Sequence, residues 1–544
     1  MNDKDCVMVP MRDGIELCTI IYKPGDGTYP VVLTRGYSPG NPQDARRFMD
    51  AGYVYIGQST RGHCASEGVM NRFFDDPQDG YDTLTWISQQ PWSNGKIAMY
   101  GKSYWAVTQW LLAPEQHPNL KAIIPQNAPP EAWPQGYRSN GALSLAMAAD
   151  GRAYNKYEDR EKVVNFGWEK FYRHLPLIEL DTVVTGKENK MWNEYVSHYT
   201  YDQYWKALGL SDKYHKIEVP VYQMGGWYDY YPGAAFKGYQ KLKEIGATSE
   251  IRIVVDPTDH LGCVVGDRDF GQVAKIDKVD LATRWLDYVV KGNDNGVGNE
   301  PPIKIFVMGI NEWRGEHEWP LTRTKFTKYY FCNPDGARIG LLGTEPPGDE
   351  SPTSYTYDPD NPVLTLGGNH SFLGTDHPDL ISVGSVDQRP NEERDDVLVF
   401  STLPLDEDTE VTGPIEIKLF AASSARDTDF TAKLIDVYPD GTAYNLTEGI
   451  IRARFRESLW EEPTLLVPGE IYEITLELLP TSNVFKKGHQ IRVHLTSSNF
   501  PLWDRNLNTG NNPATDVEML KAEQTVYHDR RYPSHIILPI IPAS

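Results

Sequence analysis

Short apolar runs alternate with amphipathic stretches over the first 130 residues. Residues 31–34 and 53–56 are runs of apolar and β-branched residues, which is typical of strands buried on both faces of a sheet. Residues 82–89 follow with helical character. Strands that alternate with helices predict βαβ units and a mostly parallel sheet.

The pattern changes after this first segment. Strand runs fade across residues 131–213, where helix-like segments carry many aromatic residues. A strand and helix pattern resumes at residue 214. We therefore predict an α/β domain in two parts, residues 1–130 and 214–318, with a helical cap of residues 131–213 inserted over its active site.

The last part of the chain, residues 319–544, has a different pattern of apolar and turn-forming residues. Short β runs such as residues 415–421 are separated by Pro, Gly and Asp turns, which predicts an all-β sandwich or jelly roll. We expect it to pack against the catalytic domain and help to form the pocket, and not to bind carbohydrate. Residues 345–362 are rich in Pro and Asp and are expected to form a loop.

A candidate nucleophile follows one predicted strand. Residues 96–106 read as a buried strand that enters a tight turn at Gly101-Lys102-Ser103, and residues 109–113 have helical character. Strand, Gly-x-Ser and helix in this order form the context of a nucleophile elbow, in which the serine Oγ stands clear of the sheet. Because Gly-x-Ser alone is common, Ser103 needs partners before it indicates catalysis.

Two further side chains follow predicted strands. Asp229 lies at the end of a glycine-rich turn, residues 225–229, and His260 lies in the loop after a strand at residues 250–256. Serine, aspartate and histidine in this order, each at the exit of a strand, are typical of an α/β-hydrolase triad. Each residue alone is more simply a turn or loop residue, but together they predict the triad Ser103, Asp229 and His260.

Further motifs extend over nearly the whole chain. They are Met99-Tyr-Gly-Lys-Ser-Tyr104, Thr60-Arg-Gly-His-Cys-Ala-Ser-Glu-Gly68, Asp79-Gly-Tyr-Asp82, Gln90-Pro-Trp-Ser-Asn-Gly95, Gly226-Trp-Tyr-Asp229, residues 435–449, Gly488-His-Gln-Ile-Arg-Val493 and Ser498-Asn-Phe-Pro501. Together they resemble the cocaine esterase and α-amino-acid ester hydrolase group, the CocE/NonD hydrolases, which are relatives of the X-Pro dipeptidyl-peptidases. The resemblance implies an α/β-hydrolase domain with a helical cap and a C-terminal jelly roll.

The resemblance also implies a role for each candidate residue. Ser103 would be the nucleophile, His260 the general base and acid, and Asp229 the carboxylate that orients the imidazole. Tyr37, after an earlier predicted strand, would donate from its phenol to the oxyanion beside the backbone N–H of Tyr104. A phenol close to a developing alkoxide can stabilise it as a backbone amide does.

Two departures from the family pattern bear on the site. Ala106 stands where the family usually has glycine, and we expect a working elbow because alanine is also small. Asp256-Pro-Thr-Asp-His260 replaces Gly-Pro-Trp-x-His, so Asp256 and Asp259 compete with Asp229 as the orienting acid. We expect Asp229, because adjacent side chains in an extended loop point apart and its loop follows the preceding strand.

The cap contains aromatic and acidic residues with more than one interpretation. Most aromatics are expected to form the cap's own core, and some to line a pocket. Acidic residues of the cap, such as Glu131 and Asp150, could recognise a substrate ammonium, as a carboxylate cluster does in the amino-acid ester hydrolases. That cluster is not matched here, so we expect solvated surface charges.

Net charge and hydropathy indicate which binding partners and which cellular location to expect. The chain has 53 Lys and Arg against 75 Asp and Glu, a net charge of −22, so nucleic acid is a poor partner. It has no run of eighteen or more apolar residues, as a membrane span would need. Residues 1–6 lack the apolar core of a signal peptide. We expect a cytoplasmic protein without a membrane partner, and homo-oligomerisation stays open.

The cysteines and histidines predict no cofactor and no metal site. The cysteines are odd in number and widely spread, without a Cys-x-x-Cys pair, so neither a disulfide framework nor a zinc site is expected. They are Cys6, Cys18, Cys64, Cys263 and Cys332. Cys263 follows His260 closely, but no elbow surrounds it, so we expect a pocket-lining or buried thiol and not a nucleophile.

These features predict a serine hydrolase that cleaves a small-molecule ester or amide through an acyl-enzyme. The alternatives are an X-Pro-type peptidase or acyltransferase on the same fold, and a catalytically silent binding protein. A dipeptidyl-peptidase is disfavoured because the chain starts almost directly at the sheet domain, without the N-terminal helical domain of the larger peptidase relatives. The intact triad argues against a silent protein.

Overall fold

The computed structural model of the protein describes most of the chain. The described residues are 7–71, 73–154, 158–246, 249–333, 335–370 and 382–542. Cys6 lies outside them. The other four cysteines lie within them, and Cys64, Cys263 and Cys332 are free thiols.

A ten-stranded sheet forms the first part of the fold. Its strands are β1 (Val7–Pro10), β2 (Glu16–Tyr22), β3 (Tyr29–Gly36), β4 (Val54–Ser59), β5 (Ser93–Lys102), β6 (Leu120–Gln126), β9 (Val221–Tyr228), β10 (Ile251–Asp259), β11 (Ile303–Val307) and β12 (Glu312–Glu316). Their order is β1-β2-β4-β3-β5-β6-β9-β10-β11-β12. The strands from β4 to β11 pair in parallel, and the outer strands pair antiparallel. The predicted, mostly parallel α/β sheet is confirmed.

Helices cover both faces of this sheet because its strands are apolar on both sides. They are α1 (Pro42–Asp50), α2 (Asp76–Ser88), α3 (Tyr104–Leu112), α10 (Pro232–Glu244) and α11 (Lys278–Val289). Val32 packs in one core cluster with α1 and α11, whereas Val31 and Leu33 pack in another that includes α2, α3 and α10. Alternating side chains of one strand thus enter two separate cores.

The segment between β6 and β9 is mainly helical. It contains a short hairpin, β7 (Arg138–Ser139) and β8 (Ala142–Leu143), and the helices α4 (Leu145–Ala149), α5 (Arg160–Phe166), α6 (Trp168–Tyr172), α7 (Leu180–Thr185), α8 (Lys190–Ser197) and α9 (Gln203–Leu208). Part of this segment forms a separate core around Trp168, Phe171 and Trp192, to which Phe500 of the C-terminal part also belongs. Other aromatics, such as Tyr137 and Tyr195, join the core of the main sheet.

The C-terminal part is rich in β-structure. Its sheet contains β13 (Lys325–Cys332), β14 (Ile339–Gly343), β15 (Thr353–Tyr357), β16 (Leu398–Ser401), β17 (Thr409–Ser423), β18 (Asp429–Val437), β19 (Ala443–Arg452), β20 (Tyr472–Phe485), β21 (Gln490–Thr496), β22 (Ala522–Tyr527) and β23 (His535–Ile541). A short helix, α12 (Arg389–Glu392), precedes β16. Strand pairing is antiparallel except between β14 and β16. The expectation of a loop throughout residues 345–362 was wrong, because β15 lies within it.

Two boundaries near the site also differ from expectation. The glycine-rich segment expected to turn after residue 224 continues β9 as far as Tyr228, and β10 continues through Pro257 to Asp259. The register between them shifts after Asp256. A Cβ on Gly226 would overlap the carbonyl oxygen of Thr258, so this glycine permits a close approach of two strands at the irregularity and does not form a turn.

Candidate active site

Ser103 occupies a strained turn between β5 and α3. Its φ is 59° and its ψ is −124°, a conformation that few residues other than glycine adopt. Its N–H donates to the carbonyl oxygen of Gln126, 2.9 Å away. Gly101 has φ 155°, and a Cβ there would lie 2.5 Å from the Cβ of Trp105. The turn therefore requires glycine at position 101 and presents Ser103 at the carboxyl edge of the sheet.

Ala106 lies on the first turn of α3. It is fully buried, and its N–H donates to the carbonyl oxygen of Ser103 over 2.8 Å. The helix continues normally through this position, so an alanine in place of the family's usual glycine fits against the sheet.

His260 directly follows β10, and Asp229 directly follows β9. The Nδ1 of His260 lies 2.8 Å from the Oδ1 of Asp229, and both side chains are almost completely buried. The same Oδ1 accepts the N–H of Tyr230 over 2.7 Å. A carboxylate can only accept hydrogen bonds, so the pairing assigns the proton to Nδ1 and leaves Nε2 able to accept one.

The two competing carboxylates make other contacts. The Oδ1 of Asp259 accepts N–H groups from Leu261 at 3.0 Å and Cys263 at 2.8 Å, so this side chain folds back on its own loop. Asp256 accepts a hydrogen bond from Thr258 and forms an ion pair of 2.9 Å with Lys278. The contact to the His260 ring is made by Asp229.

Two residues that sequence reasoning missed donate to backbone oxygens of the histidine loop. Asn127 follows β6, and its Nδ2 donates to the carbonyl oxygen of His260 over 2.8 Å. Lys102 precedes Ser103, and its Nζ donates to the carbonyl oxygen of Leu261 over 2.9 Å. Burial lowers the pKa of Lys102. Sequence reasoning did not predict these contacts, because they join segments more than 130 positions apart.

Tyr37 follows β3 and lies beside the serine turn. Its ring centroid is 4.6 Å from that of Tyr104, 5.4 Å from that of Trp105 and 5.1 Å from that of His63. His63 belongs to the Thr-Arg-Gly-His motif, but its position against Tyr37 was not expected. Tyr37 thus packs against the two residues that follow Ser103.

The phenol of Tyr104 points into a buried polar cluster. It donates to the Oδ2 of Asp76 over 2.8 Å. Burial raises the pKa of Asp76, although Arg35 and the bond from Tyr104 act in the opposite direction. This contact anchors the first residue of α3, at the helix N-terminus, where the helix dipole favours negative charge.

Aromatic rings lie around His260 and Tyr104. The rings of Tyr230 and Tyr231 lie 5.8 Å and 5.7 Å from that of His260. Phe73 packs on Tyr104 at 5.8 Å and on Tyr137 at 6.0 Å. We call these rings the aromatic wall: Phe73, Tyr137, Tyr195, Tyr204, Tyr230 and Tyr231. Such a wall suits an apolar or aromatic substrate group.

The C-terminal sheet contacts the strand that leads to Asp229. The side chain of Asn369 donates to the carbonyl oxygen of Trp227, and the phenol of Tyr228 donates to that of Asn445 over 3.4 Å. Contacts at both of these residues fix the end of β9, so the C-terminal part helps to position the candidate acid.

A cavity of about 1110 Å³ lies behind the serine turn, between α1, α11 and the loop after β10. Lys102, Trp105, Cys263 and Lys278 are among its lining residues, whereas the three triad candidates are not. Cys263 therefore lines a cavity and lies outside the candidate site. Within the described residues, no group of three or more His, Cys, Asp or Glu side chains could hold a metal ion, and no helix has the length and apolar character that crossing a membrane requires.

Comparison with known proteins identifies the family. The cocaine esterase of Rhodococcus sp. (strain MB1 Bresler) is 37% identical over 582 aligned positions, which cover 98% of each chain. The chain belongs to the cocaine esterase family. The family model of the X-Pro dipeptidyl-peptidases (S15 family) matches residues 13–262, and that of the X-Pro dipeptidyl-peptidase C-terminal non-catalytic domain matches residues 295–537.

Solved structures of two relatives share the fold of this cocaine esterase family member. An α-amino-acid ester hydrolase superposes with a TM-score of 0.81 at 25% identity, covering 98% of this chain and 96% of its own. An aminopeptidase from a marine sediment archaeon, Thaumarchaeota archaeon, has a TM-score of 0.81 at 26% identity, covering 99% and 96%. The protein is a serine hydrolase with an α/β-hydrolase domain and a β-rich C-terminal domain, as the sequence predicted.

Proposed function

We propose that this serine hydrolase cleaves carboxylic esters or amides of small molecules through an acyl-enzyme, with Ser103, His260 and Asp229 as its triad. The observation that carries the proposal is the 2.8 Å contact between His260 and Asp229 at the sheet edge where Ser103 stands in a strained turn. The relatives named cocaine esterase and α-amino-acid ester hydrolase support an ester or amide as the substrate class.

The proposed reaction has two displacement steps. The Oγ of Ser103 attacks the carbonyl carbon while Nε2 of His260 takes the hydroxyl proton, and that proton then leaves with the alcohol or amine. A water molecule attacks the acyl-enzyme next, giving its proton to Nε2, and the acid departs as the serine recovers its proton. Asp229 holds the imidazole in the required tautomer and stabilises the imidazolium formed in each step.

The proposed oxyanion hole has two donors. One is the backbone N–H of Tyr104 at the N-terminus of α3, where the helix dipole favours negative charge. The other is the phenol of Tyr37, supported by the packing of its ring on Tyr104 and Trp105. Donors held in place before the reaction are usually the largest single contribution to this chemistry. We further infer that the C-terminal sheet forms a jelly roll that closes one side of the substrate pocket.

Covalent labelling tests the nucleophile directly. A fluorophosphonate should modify the wild-type protein once, with the added mass on the peptide that contains Ser103, and should not modify Ser103→Ala. Cys263→Ala is the matched control and should label like wild type, because this thiol lines the cavity behind the serine turn. Labelling that persists in Ser103→Ala or disappears in Cys263→Ala would refute the assignment.

Turnover tests the reaction. Purified protein is assayed on 4-nitrophenyl esters, amino-acid esters, β-lactam side-chain amides and X-Pro anilides. Hydrolysis of an ester or amide, lost in Ser103→Ala by several orders of magnitude, is the expected result. Release of product only when an added amine accepts the acyl group would identify an acyltransferase, and cleavage confined to X-Pro anilides would identify a peptidase.

A further inference from the structure

A buried cation lies among the rings of the aromatic wall. Arg152, in the turn after α4, is only 3% exposed. Its Nη1 donates to the carbonyl oxygens of Met147 at 3.3 Å, Ala148 at 3.4 Å and Asp150 at 3.4 Å. Its Nε is buried without a hydrogen-bond partner, and no carboxylate of the described chain forms an ion pair with it. A positive charge is therefore held here without a matching negative charge.

Two other buried arginines of the C-terminal part are paired with carboxylates. Arg452 lies 2.9 Å from both Asp429 and Asp504, and Arg454 lies 2.8 Å from Asp427. Burial of an unpaired charge is strongly unfavourable, whereas a paired and hydrogen-bonded charge is tolerated. The fold thus follows the usual rule at these positions and departs from it at Arg152.

Two other buried arginines differ from Arg152 in the charges that surround them. Arg138 and Arg505 also form no ion pair among the described residues, but Asp504 adds a favourable charge interaction to both. The groups with the largest charge interactions at Arg152 are instead the phenols of four tyrosines: Tyr195, Tyr137, Tyr231 and Tyr204. Neutral phenols do not supply a counter-charge.

Stacking keeps the guanidinium in a defined plane. Its central carbon lies 4.3 Å from the ring centroid of Tyr137 and 4.7 Å from that of Tyr195, and such cation–π contacts offset part of the burial cost. The guanidinium carbon thus lies over two tyrosine rings, and the N–H donors of a guanidinium all lie in its own plane. A planar acceptor with two oxygens, such as a carboxylate, matches the edge of that plane.

Ring contacts connect Arg152 with both sides of the candidate catalytic centre. Tyr137, on which Arg152 stacks, contacts Phe73, which contacts Tyr104, the residue after Ser103. On the other side, Tyr231 interacts with Arg152 and packs on the ring of His260. Arg152 therefore lies against the aromatic wall, whose rings also contact Tyr104 and His260.

We propose that Arg152 binds a carboxylate of the substrate, so that the preferred ester or amide is an anionic one. This inference rests on the proposed function, because it names the substrate class of the same site. The protein as a whole repels anions with its net charge of −22, so a local cation is needed to admit one. The carboxylate belongs either to the acyl group or to the leaving group.

Two pairs of esters distinguish these positions. 4-Nitrophenyl hydrogen glutarate and 4-nitrophenyl valerate differ in a carboxylate on the acyl side, and 4-butyryloxybenzoate and its methyl ester differ in one on the leaving side. The wild type should have the higher kcat/KM for the charged member of one pair.

Arg152→Met should lower the ratio of kcat/KM for the charged ester to that for the neutral ester about tenfold or more, as loss of a charge-assisted hydrogen bond does. Arg152→Lys, which keeps a point charge without the planar fork, should give an intermediate ratio.

Arg505→Met is the matched control. It also removes a buried arginine, but this one donates to the carbonyl oxygens of Pro359 and Arg173, so the ratio should stay at the wild-type value. The proposal is wrong if the wild type prefers the neutral ester in both pairs. It is also wrong if folded Arg152→Met or Arg152→Lys keeps the wild-type ratio.

Binding separates a failure of this inference from a failure of the proposed function. Calorimetric titration with glutarate and with the neutral glutaramide needs no turnover. Glutarate should bind the wild type, and bind Arg152→Lys and Arg152→Met more weakly, even if no ester in the panel is hydrolysed. Equal binding of glutarate and glutaramide by the wild type would overturn the inference while leaving the hydrolase assignment to the labelling experiment.

Discussion

Asp229 is the carboxylate that contacts the imidazole of His260. Asp229→Asn keeps the shape of the side chain but can donate to Nδ1, which favours the wrong tautomer of the ring. We expect turnover to fall about a thousandfold or more, with the thermal midpoint little changed. Steady-state kinetics on the best ester of the panel measures this loss.

The two neighbouring aspartates serve as controls for that substitution. Asp259→Asn keeps an oxygen that can accept the N–H groups of Leu261 and Cys263, and Asp256→Asn keeps an acceptor for Thr258. Both variants should lose much less activity than Asp229→Asn. The reverse ranking would assign the orienting acid to the loop of His260.

Tyr37→Phe tests the second oxyanion donor. The substitution removes only the hydroxyl, so the ring contacts with Tyr104 and Trp105 should survive. Loss of one donor to the transition state should lower kcat about a hundred- to a thousandfold, with a much smaller change in KM, because the donor is directed at the tetrahedral oxyanion.

Tyr81→Phe provides the comparison for Tyr37→Phe. Tyr81 packs on His117 at a ring distance of 4.5 Å and has no role in the proposed site, so its kinetics should match wild type. A steep rise in KM with kcat preserved in Tyr37→Phe would instead make Tyr37 a substrate-binding residue.

The sequence could predict the triad candidates because each follows a strand and their order along the chain is informative. It could not predict Asn127, Lys102 or Arg152. Asn127 and Lys102 contact a loop that comes much later in the chain. Arg152 is unusual because no carboxylate of the residues that the structure describes pairs with it. Such properties arise from packing and have no local signature.

At the level of elements, the alternation of strands and helices predicted the sheet, but glycine and proline were misread near the site. The glycine pair before Trp227 suggested a turn, and Pro257 suggested the end of a strand. In the fold both lie inside strands, at an irregular pairing of β9 with β10. Glycine marks close backbone approach as well as turns, and only the neighbouring strand distinguishes the two.

Gly226 and Gly225 provide a test within one strand. A Cβ on Gly226 would overlap the backbone oxygen of Thr258, whereas a Cβ on Gly225 meets no atom within 4 Å. Gly226→Ala should destabilise the protein by about 1 to 3 kcal/mol, as overpacking does, and should also reduce turnover because β9 and β10 carry Asp229 and His260. Gly225→Ala should leave the thermal midpoint and the kinetics near wild type. Equal midpoints for the two variants would show that the strands can separate without cost.

At the scale of the molecule, the sequence pattern predicted an α/β sheet followed by a β-rich part. It did not predict which charged side chains are buried between segments of the fold. Glu131, expected to be a solvated surface charge, is partly buried. Its carboxylate accepts the N–H of Leu210 at 3.1 Å and the hydroxyl of Ser211 at 3.1 Å. It thereby joins the segment before α4 to the segment after α9, a pairing that depends on how the helices between them pack.

The charge on Glu131 should make stability depend on pH. Burial raises the pKa of Glu131 to about 7, with Asp212 raising it further and Lys213 and the two hydrogen bonds lowering it. Because the folded-state pKa lies above that of an unfolded glutamate, the contribution of this group is fully present below about pH 4.5 and is lost as the pH rises through 7. The loss is at most about 3 kcal/mol.

Glu131→Gln stays neutral and can still accept one of the hydrogen bonds. Its thermal midpoint should match wild type at pH 5 and exceed it by a few degrees at pH 8, whereas Glu244→Gln, at the exposed end of α10, should show no such pH-dependent difference. The prediction is wrong if the midpoint of Glu131→Gln differs from that of wild type by the same amount at both pH values. Protonation of this carboxyl would then not affect the stability of the protein.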